Sequence, residues 1–180
     1  MSHRREVLEL LDAYVPFPEE ALFKERTIAF IKKHPECFER SLSEGHITAS
    51  AWLLNKQGTK ALLMHHAKLE MWVQLGGHCD GNPSVLDVAI QEAQEESGVM
   101  QIAPVSRAIF DLDIHEIPEK GGLKAHLHYD IRFLLQIVSG DAPRKNHESK
   151  QLLWVDKGSS QLPTDSRSVV RMFLKWNALS

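Results

Sequence analysis

Hydrophobic and polar residues follow two rhythms along the chain, a helical one up to about residue 43 and an alternating one from Ile47 onward. Val7, Leu8, Leu10 and Leu11 cluster in a first helical segment, which Pro16 and Pro18 interrupt. The next segment opens on Glu19 and Glu20 and closes on Lys32, Lys33 and His34 before Pro35, so its charges lie favourably along a helix dipole. After these two or three short helices, residues 47–54 form a β-rich run, residues 55–58 a turn and residues 60–65 a second strand, the pattern of a hairpin. A third strand over residues 71–75 leads into a glycine-containing loop at 76–81. That loop feeds a helix with Asn82 as N-cap, Pro83 at the first helical position, Leu86, Ala89, Ile90 and Ala93 as an apolar stripe, and Gly98 as the stop. Residues 106–114 and 124–138 read as longer strands joined across 118–122, and a polar connection at 140–150 precedes a short strand at 152–155. Thr164 or Asp165 caps a final helix that turns Val169, Val170, Phe173 and Leu174 inward. The pattern predicts an α+β or mixed α/β domain with an N-terminal helical addition, without internal repeats or low-complexity tracts.

Composition narrows the class. The 180 residues are 43% hydrophobic and 25% charged, which suits one sizeable core. A net charge of −3 gives no general attraction to nucleic acid or to an anionic membrane, although a local basic pocket remains free to bind phosphates. Cys37 and Cys79 are too few for a disulfide framework and point to a reducing compartment. The charged N-terminus continues into an amphipathic stretch with Glu6, Glu9 and Asp12, unlike a signal peptide, and no stretch reaches the roughly 20 apolar residues of a membrane span. The expectation is a soluble, cytoplasmic protein.

Candidate chemistry concentrates on the helix after the glycines. Glu92, Glu95 and Glu96, spaced by three and by one, project from one side of it beside the apolar stripe. Like charges so placed destabilise a bare helix and are relieved by a hard divalent cation such as Mg²⁺ or Mn²⁺, which selects oxygen ligands. A solvated acidic face is the plainer reading of such a trio. Its context favours chemistry, because a strand, a double-glycine loop and a capped helix set backbone groups beside metal ligands, as phosphate chemistry requires.

Residues 77–99 overlay without a gap on the pattern Gly, five residues, Glu, seven residues, Arg-Glu-U-x-Glu-Glu-x-Gly-U, where U is aliphatic. Glu92, Ala93, Glu95, Glu96, Gly98 and Val99 match its end, and the chain thereby resembles the Nudix hydrolase superfamily. Pro83 stands where the pattern has its first Glu and Gln91 where it has Arg, so the usual internal salt bridges cannot form; Gln91 can still hydrogen-bond a carboxylate without charge assistance. The resemblance implies a Nudix-type α/β/α sandwich with a mixed sheet, residues 44–180 forming the hydrolase domain and residues 1–43 a helical extension packed on its core. It implies Glu92 and Glu96 as principal metal ligands, Glu95 assisting, and a backbone carbonyl of Gly76 or Gly77 completing the inner shell around Mg²⁺ or Mn²⁺. A base in a later loop points to Glu148, otherwise an ordinary loop acid, so the implied catalytic set is Glu92, Glu95 and Glu148.

A second concentration of chemistry lies in the strands that follow. Alternation puts His126, His128, Asp130 and Arg132 on one face of their strand and Leu127, Tyr129, Ile131 and Phe133 on the other. In the preceding strand Asp111, Asp113 and His115 share a face, and antiparallel pairing would gather three histidines and three aspartates. Three readings remain open: a polar outer sheet face, a transition-metal site, or a substrate contact involving His78, His115, His126, His128 and Asp130. His65 and His66, at a strand end, read as structural.

The expected activity is metal-dependent hydrolysis of a diphosphate linkage in a nucleoside diphosphate derivative, with a small-molecule diphosphate as partner. Two alternatives stand beside it. His78-Cys79 with the later histidines is loosely similar to the inventory of isopentenyl-diphosphate isomerase, which would use Cys79; Pro83 and Gln91 instead suit a degenerate domain that binds a nucleotide without turnover. The N-terminal helices have three open roles: a homodimer interface, a cover for the site, or simple packing on the core.

Overall fold

The computed structural model describes residues 2–119, 121–122, 124–140 and 142–179, with nothing said of the side chains at 2 and 3; Lys120 and Asp141, in the two predicted connections, lie outside it. The chain opens with α1 (Ser2–Ala13), a 3-10 turn (Pro18–Glu20) and α2 (Ala21–Lys33). Strands β1 (Gly45–Leu54), β2 (Lys60–His66), β3 (Met71–Val73) and β4 (Leu75–His78) precede α3 (Val85–Ser97). Then come β5 (Gln101–Pro104), β6 (Asp111–Ile117), β7 (His126–Ser139), β8 (Ser149–Asp156) and α4 (Arg167–Ala178). Among the described residues no helix is long and apolar enough to cross a membrane.

The strands form one mixed sheet centred on β1. It runs parallel to β7 from Gly45↔Leu127 to Leu54↔Gln136, and antiparallel to β4 from Thr48↔His78 to Ala51↔Leu75. β2 pairs with β3 and β8, and β7 carries both β5 and β6 on its other edge. Every residue of β1 is buried, because helices cover both sides of the sheet. Ile47, Ala49, Ala51 and Leu53 pack in one cluster with Val7 and Leu11 of α1, Phe30 and Ile31 of α2, and Leu86, Ala89 and Ala93 of α3. Trp52 and Leu54 face the other way, into a cluster with Leu63, Leu134 and α4 residues Val169, Met172 and Trp176. The result is the predicted α/β/α layering.

Four local expectations are corrected. Residues 76–78 belong to a strand and not a loop, because β1 leaves β2 after only Leu53↔Leu62 and Leu54↔Ala61 and pairs with β4 instead. Of the predicted strand at 106–114 only residues 111–114 are strand, as the start of β6; residues 106–110 form a step between β5 and β6, both of which pair with β7, and there Ala108 N–H bonds Ser106 Oγ. Helix α3 begins two residues later than predicted: Asn82 Oδ1 accepts the Ser84 N–H in a local turn, and Ser84 takes the cap position. Gly98 ends the helix as expected, at φ 70°, where glycine meets no Cβ penalty. In α4 the inward face carries Arg171, Met172, Lys175 and Trp176, while Leu174 is 59% exposed.

That charged inward face disposes of the polar outer sheet surface. Asp111, Asp130 and Arg132 are buried, and α4 supplies the cations that make this tolerable. Arg171 donates to both oxygens of Asp111 at 2.8 and 2.9 Å, Arg132 reaches Asp111 at 3.0 Å and Asp130 at 2.7 Å, and Lys175 lies 2.8 Å from Asp111. The network continues to the N-terminal segment, where Lys175 pairs with the fully buried Glu20, which also bonds Tyr14 and the Leu112 N–H. Buried charges are stable only when paired in this way.

Candidate active site

Strand β4 delivers the double glycine to the flank of α3. At Gly77 an added Cβ would stand 2.6 Å from the Glu92 carboxylate, so only glycine lets that carboxylate lie against the backbone. The Gly76 N–H donates to Glu96 at 2.8 Å, which anchors the second carboxylate one residue away. Glu96 is 2% exposed, Glu92 is half-buried and Glu95 is exposed. Gln91 donates to Glu95 at 2.8 Å, so the residue that replaces arginine does bind a carboxylate, across one helical turn.

Glu148 is exposed in the turn just before β8, close enough for its charge to act on both Glu92 and Glu96. Its loop is tied to the site: Asn146 donates to the Glu95 carbonyl at 3.4 Å, and the Ala67 N–H bonds the Glu148 carbonyl. Burial first, then repulsion from Glu95 and Glu148, pushes the Glu92 carboxyl up to about 7. Burial likewise raises Glu96 to about 8, with Glu92 and Glu148 adding to it and the Gly76 N–H opposing. Arg40, which grips Asp80 with both guanidinium arms, is the cation acting on Glu92. Nothing in the local sequence pattern marks Arg40, since it reaches the site from the segment before β1.

These shifts have a stability consequence. Both folded values lie above the ordinary 4.5, so the folded chain retains protons that the unfolded chain has released. Burial depresses the pKa values of His46, His66, His78 and His128, which acts in the opposite direction as pH rises, an effect largely complete by about pH 7. From there to about pH 8 the metal-free protein is expected to lose stability as pH rises, and saturating Mg²⁺ to remove the decline. Thermal denaturation across that window, with and without Mg²⁺, checks this; a flat metal-free profile would contradict it.

Gly77→Ala is expected to lower turnover at least about tenfold by displacing Glu92. Its backbone angle suits alanine and the clash is with the mobile end of a side chain, so the melting temperature should change little. Equal losses of activity and of folded protein would mean that the clash is structural.

The histidines gather elsewhere. Adjacent residues of β4 point to opposite faces, so His78 turns away from α3 toward His128, the two rings meeting edge to face at 5.1 Å. His115 pairs with His128 across β6 and β7, on the shared face that alternation predicts, and His126 lies 5.3 Å from His128. His46 of β1 completes the group at 4.7–5.0 Å from His128, His78 and His126. It stands outside the set singled out from sequence, although its place two residues before Thr48 and four before Ser50, on the polar face of β1, is a visible period-two signal. Asp130, expected at a substrate, is enclosed by Thr48, Ser50, Gln74 and Arg132, all of which donate to its carboxylate. His66 is structural, its Nδ1 accepting the Lys68 and Leu69 N–H groups of a turn. Cys79 is 3% exposed and burial drives its thiol far above the usual range.

No family model and no curated protein matches the sequence. Solved structures do match the fold. A C. elegans Ap4A hydrolase in a binary complex superposes with a TM-score of 0.58 at 18% identity, covering 73% of this chain and 95% of that one. A NUDIX-family hydrolase from Clostridium perfringens gives 0.55 at 23% identity over 75% and 98% of the two chains. A UDP-X diphosphatase gives 0.52 at 13% identity, covering 97% of this chain and 91% of that one. At these identities the likeness is one of fold, and the chain has the Nudix fold.

Proposed function

We propose that this Nudix-fold chain is a metal-dependent hydrolase that cleaves the diphosphate linkage of a nucleoside diphosphate derivative. The observation that carries the reading is the convergence of Glu92 and Glu96 on Gly76 and Gly77, with Glu95 and Glu148 beside them. Four carboxylates with too little positive charge around them are a donor set for a hard cation, since Mg²⁺ and Mn²⁺ prefer oxygen ligands. Glu92 and Glu96 would hold it, with Glu95 and the Gly77 carbonyl assisting. When bound there, the ion neutralises diphosphate oxygens and acidifies water.

The chain's own residues do the rest. Gly76 fixes Glu96 through its N–H, Gln91 orients Glu95, and Asn146 ties the Glu148 loop to α3. Glu148, exposed and able to approach a substrate, accepts the proton of the water that attacks phosphorus. The bridging P–O bond breaks, and the two phosphate-bearing halves leave. The near-complete coverage by a UDP-X diphosphatase, including the N-terminal helices, supports a nucleoside diphosphate joined to a second moiety as the substrate class.

Assay of nucleoside diphosphate sugars, dinucleoside polyphosphates, coenzymes and nucleoside triphosphates, with products identified and Mg²⁺ present or chelated, tests the reading. Mg²⁺-dependent cleavage of a diphosphate-linked member supports it, and binding without turnover across the panel would move the chain to the nucleotide-binding alternative. The cysteine isomerase reading is disfavoured by the burial of Cys79, whose thiol is held in its protonated, unreactive form. Cys79→Ser is expected to leave turnover per folded enzyme within about threefold. Complete loss in a well-folded variant would favour the isomerase.

A further inference from the structure

We propose that His46, His78 and His128 form a second cation site, one for a borderline divalent ion of the zinc class, separate from the carboxylate site. Three strands build it. The parallel register of β1 and β7 sets His46 directly beside His128, and the antiparallel register of β1 and β4 brings His78 opposite Thr48, two residues along. One nitrogen from each ring lies within 4.8 Å of the others. Tetrahedral zinc, with Zn–N bonds of about 2.0–2.1 Å, needs its nitrogens about 3.3 Å apart. Closing that gap requires the His78 and His128 rings, both only half-buried, to turn toward His46.

Unmet bonding makes this more than a packing of rings. His46 is 2% exposed and, among the described residues, neither of its nitrogens has a hydrogen-bond partner; the buried Nε2 of His128 has none there either. Buried polar atoms are almost always paired, and an imidazole stripped of water without compensation is unfavourable. A cation accepting one nitrogen lone pair from each ring supplies a partner for one of the two His46 nitrogens. The donor chemistry selects the ion: the trio offers nitrogen and no carboxylate, which suits zinc, cobalt or nickel and not magnesium.

The surroundings fit the same reading. His126 Nδ1 bonds the Lys124 carbonyl at 2.9 Å, leaving its Nε2 with a free lone pair beside His46 and His128 as the source of a fourth ligand. His115 is held through Nδ1 by Asp113 at 3.2 Å and packs edge-on against His128. A ring nitrogen fixed by a carbonyl or carboxylate, with the other turned to a metal, is the usual outer shell of such sites. An ion here would clip β1, β4 and β7 together one residue from Gly77. The inference does not depend on the proposed hydrolysis, because the trio shares no ligand with the glutamates.

The test is a titration of the chelator-treated full-length protein with Zn²⁺ against a chromophoric chelator, and with Co²⁺ monitored by visible absorption. One Zn²⁺ per chain should bind, with a Co²⁺ spectrum of tetrahedral nitrogen ligation and a raised melting temperature. His46→Gln and His78→Asn should each weaken Zn²⁺ binding by about 10- to 100-fold, while Glu96→Gln leaves it unchanged. His78 is half-buried, so its variant keeps the test open if His46→Gln fails to fold. No stoichiometric zinc on the wild-type chain, equal affinity in a folded histidine variant, or loss of zinc in Glu96→Gln would each overturn the proposal.

Discussion

Glu96→Gln is expected to lower turnover by about 100-fold or more with the fold intact. Charge is the reason for the first effect: the amide keeps the shape and an acceptor oxygen for the Gly76 N–H but cannot neutralise a cation. The second follows from burial, which already holds the Glu96 carboxyl up to about 8. In the metal-free wild type burial thus favours the protonated form of Glu96, and glutamine mimics that form. Its melting temperature should therefore equal or exceed that of the metal-free wild type at pH 8. Steady-state turnover at saturating Mg²⁺, with melting curves on the same samples, reads both effects. Near-normal turnover would remove Glu96 from the proposed metal shell.

Asp111→Ala is expected to have the largest effect on stability, a loss of about 3–5 kcal/mol. Asp111 is fully buried and receives Arg132, Arg171 and Lys175 together. Removing it leaves three interior cations with one acceptor fewer, and alanine offers no replacement. For a chain of this size such a loss lowers the melting temperature by about 10 °C. Turnover below that transition should persist, because the network lies on the α4 side of the sheet and Glu92 and Glu96 on the other. Denaturant unfolding measures the loss; a change under about 1 kcal/mol would mean that water reaches and compensates the cations.

What could be read from the sequence was local. The spacing of Glu92, Glu95 and Glu96, the stripe at Leu86, Ala89 and Ala93 and the stop at Gly98 all lie within four turns of one helix, where period alone decides which residues share a side. The alternation in β6 and β7 also put His115, His126 and His128 on one shared face, as the antiparallel pairing bears out, although it did not fix which residue stands opposite which. Pairings between distant segments were hidden. His46 meets His128 only through a parallel register that no turn connects, and Arg40 acts on Glu92 from outside the helix altogether.

Charged residues misled for a related reason. Arg171 and Lys175, four apart on α4, look like a solvent face, yet Asp111 and Asp113 on β6 and Glu20 near the N-terminus make that face the interior one. Leu174 is pushed outward in consequence. Gly76 and Gly77 look like a loop because glycine is poor in strands; here β4 needs glycine for close approach, to Ser50 on one side and to Glu92 on the other.

The proposed reaction is a cation-dependent attack of water on a diphosphate at the glutamate cluster. Turnover of chelator-treated protein in water enriched in heavy oxygen, before and after Mg²⁺ is restored, tests it most directly. No product is expected without Mg²⁺, and with it a cleaved diphosphate carrying one heavy oxygen on a single product phosphate. An isomerised product without cleavage, or cleavage at an unchanged rate in the absence of divalent cation, would contradict it.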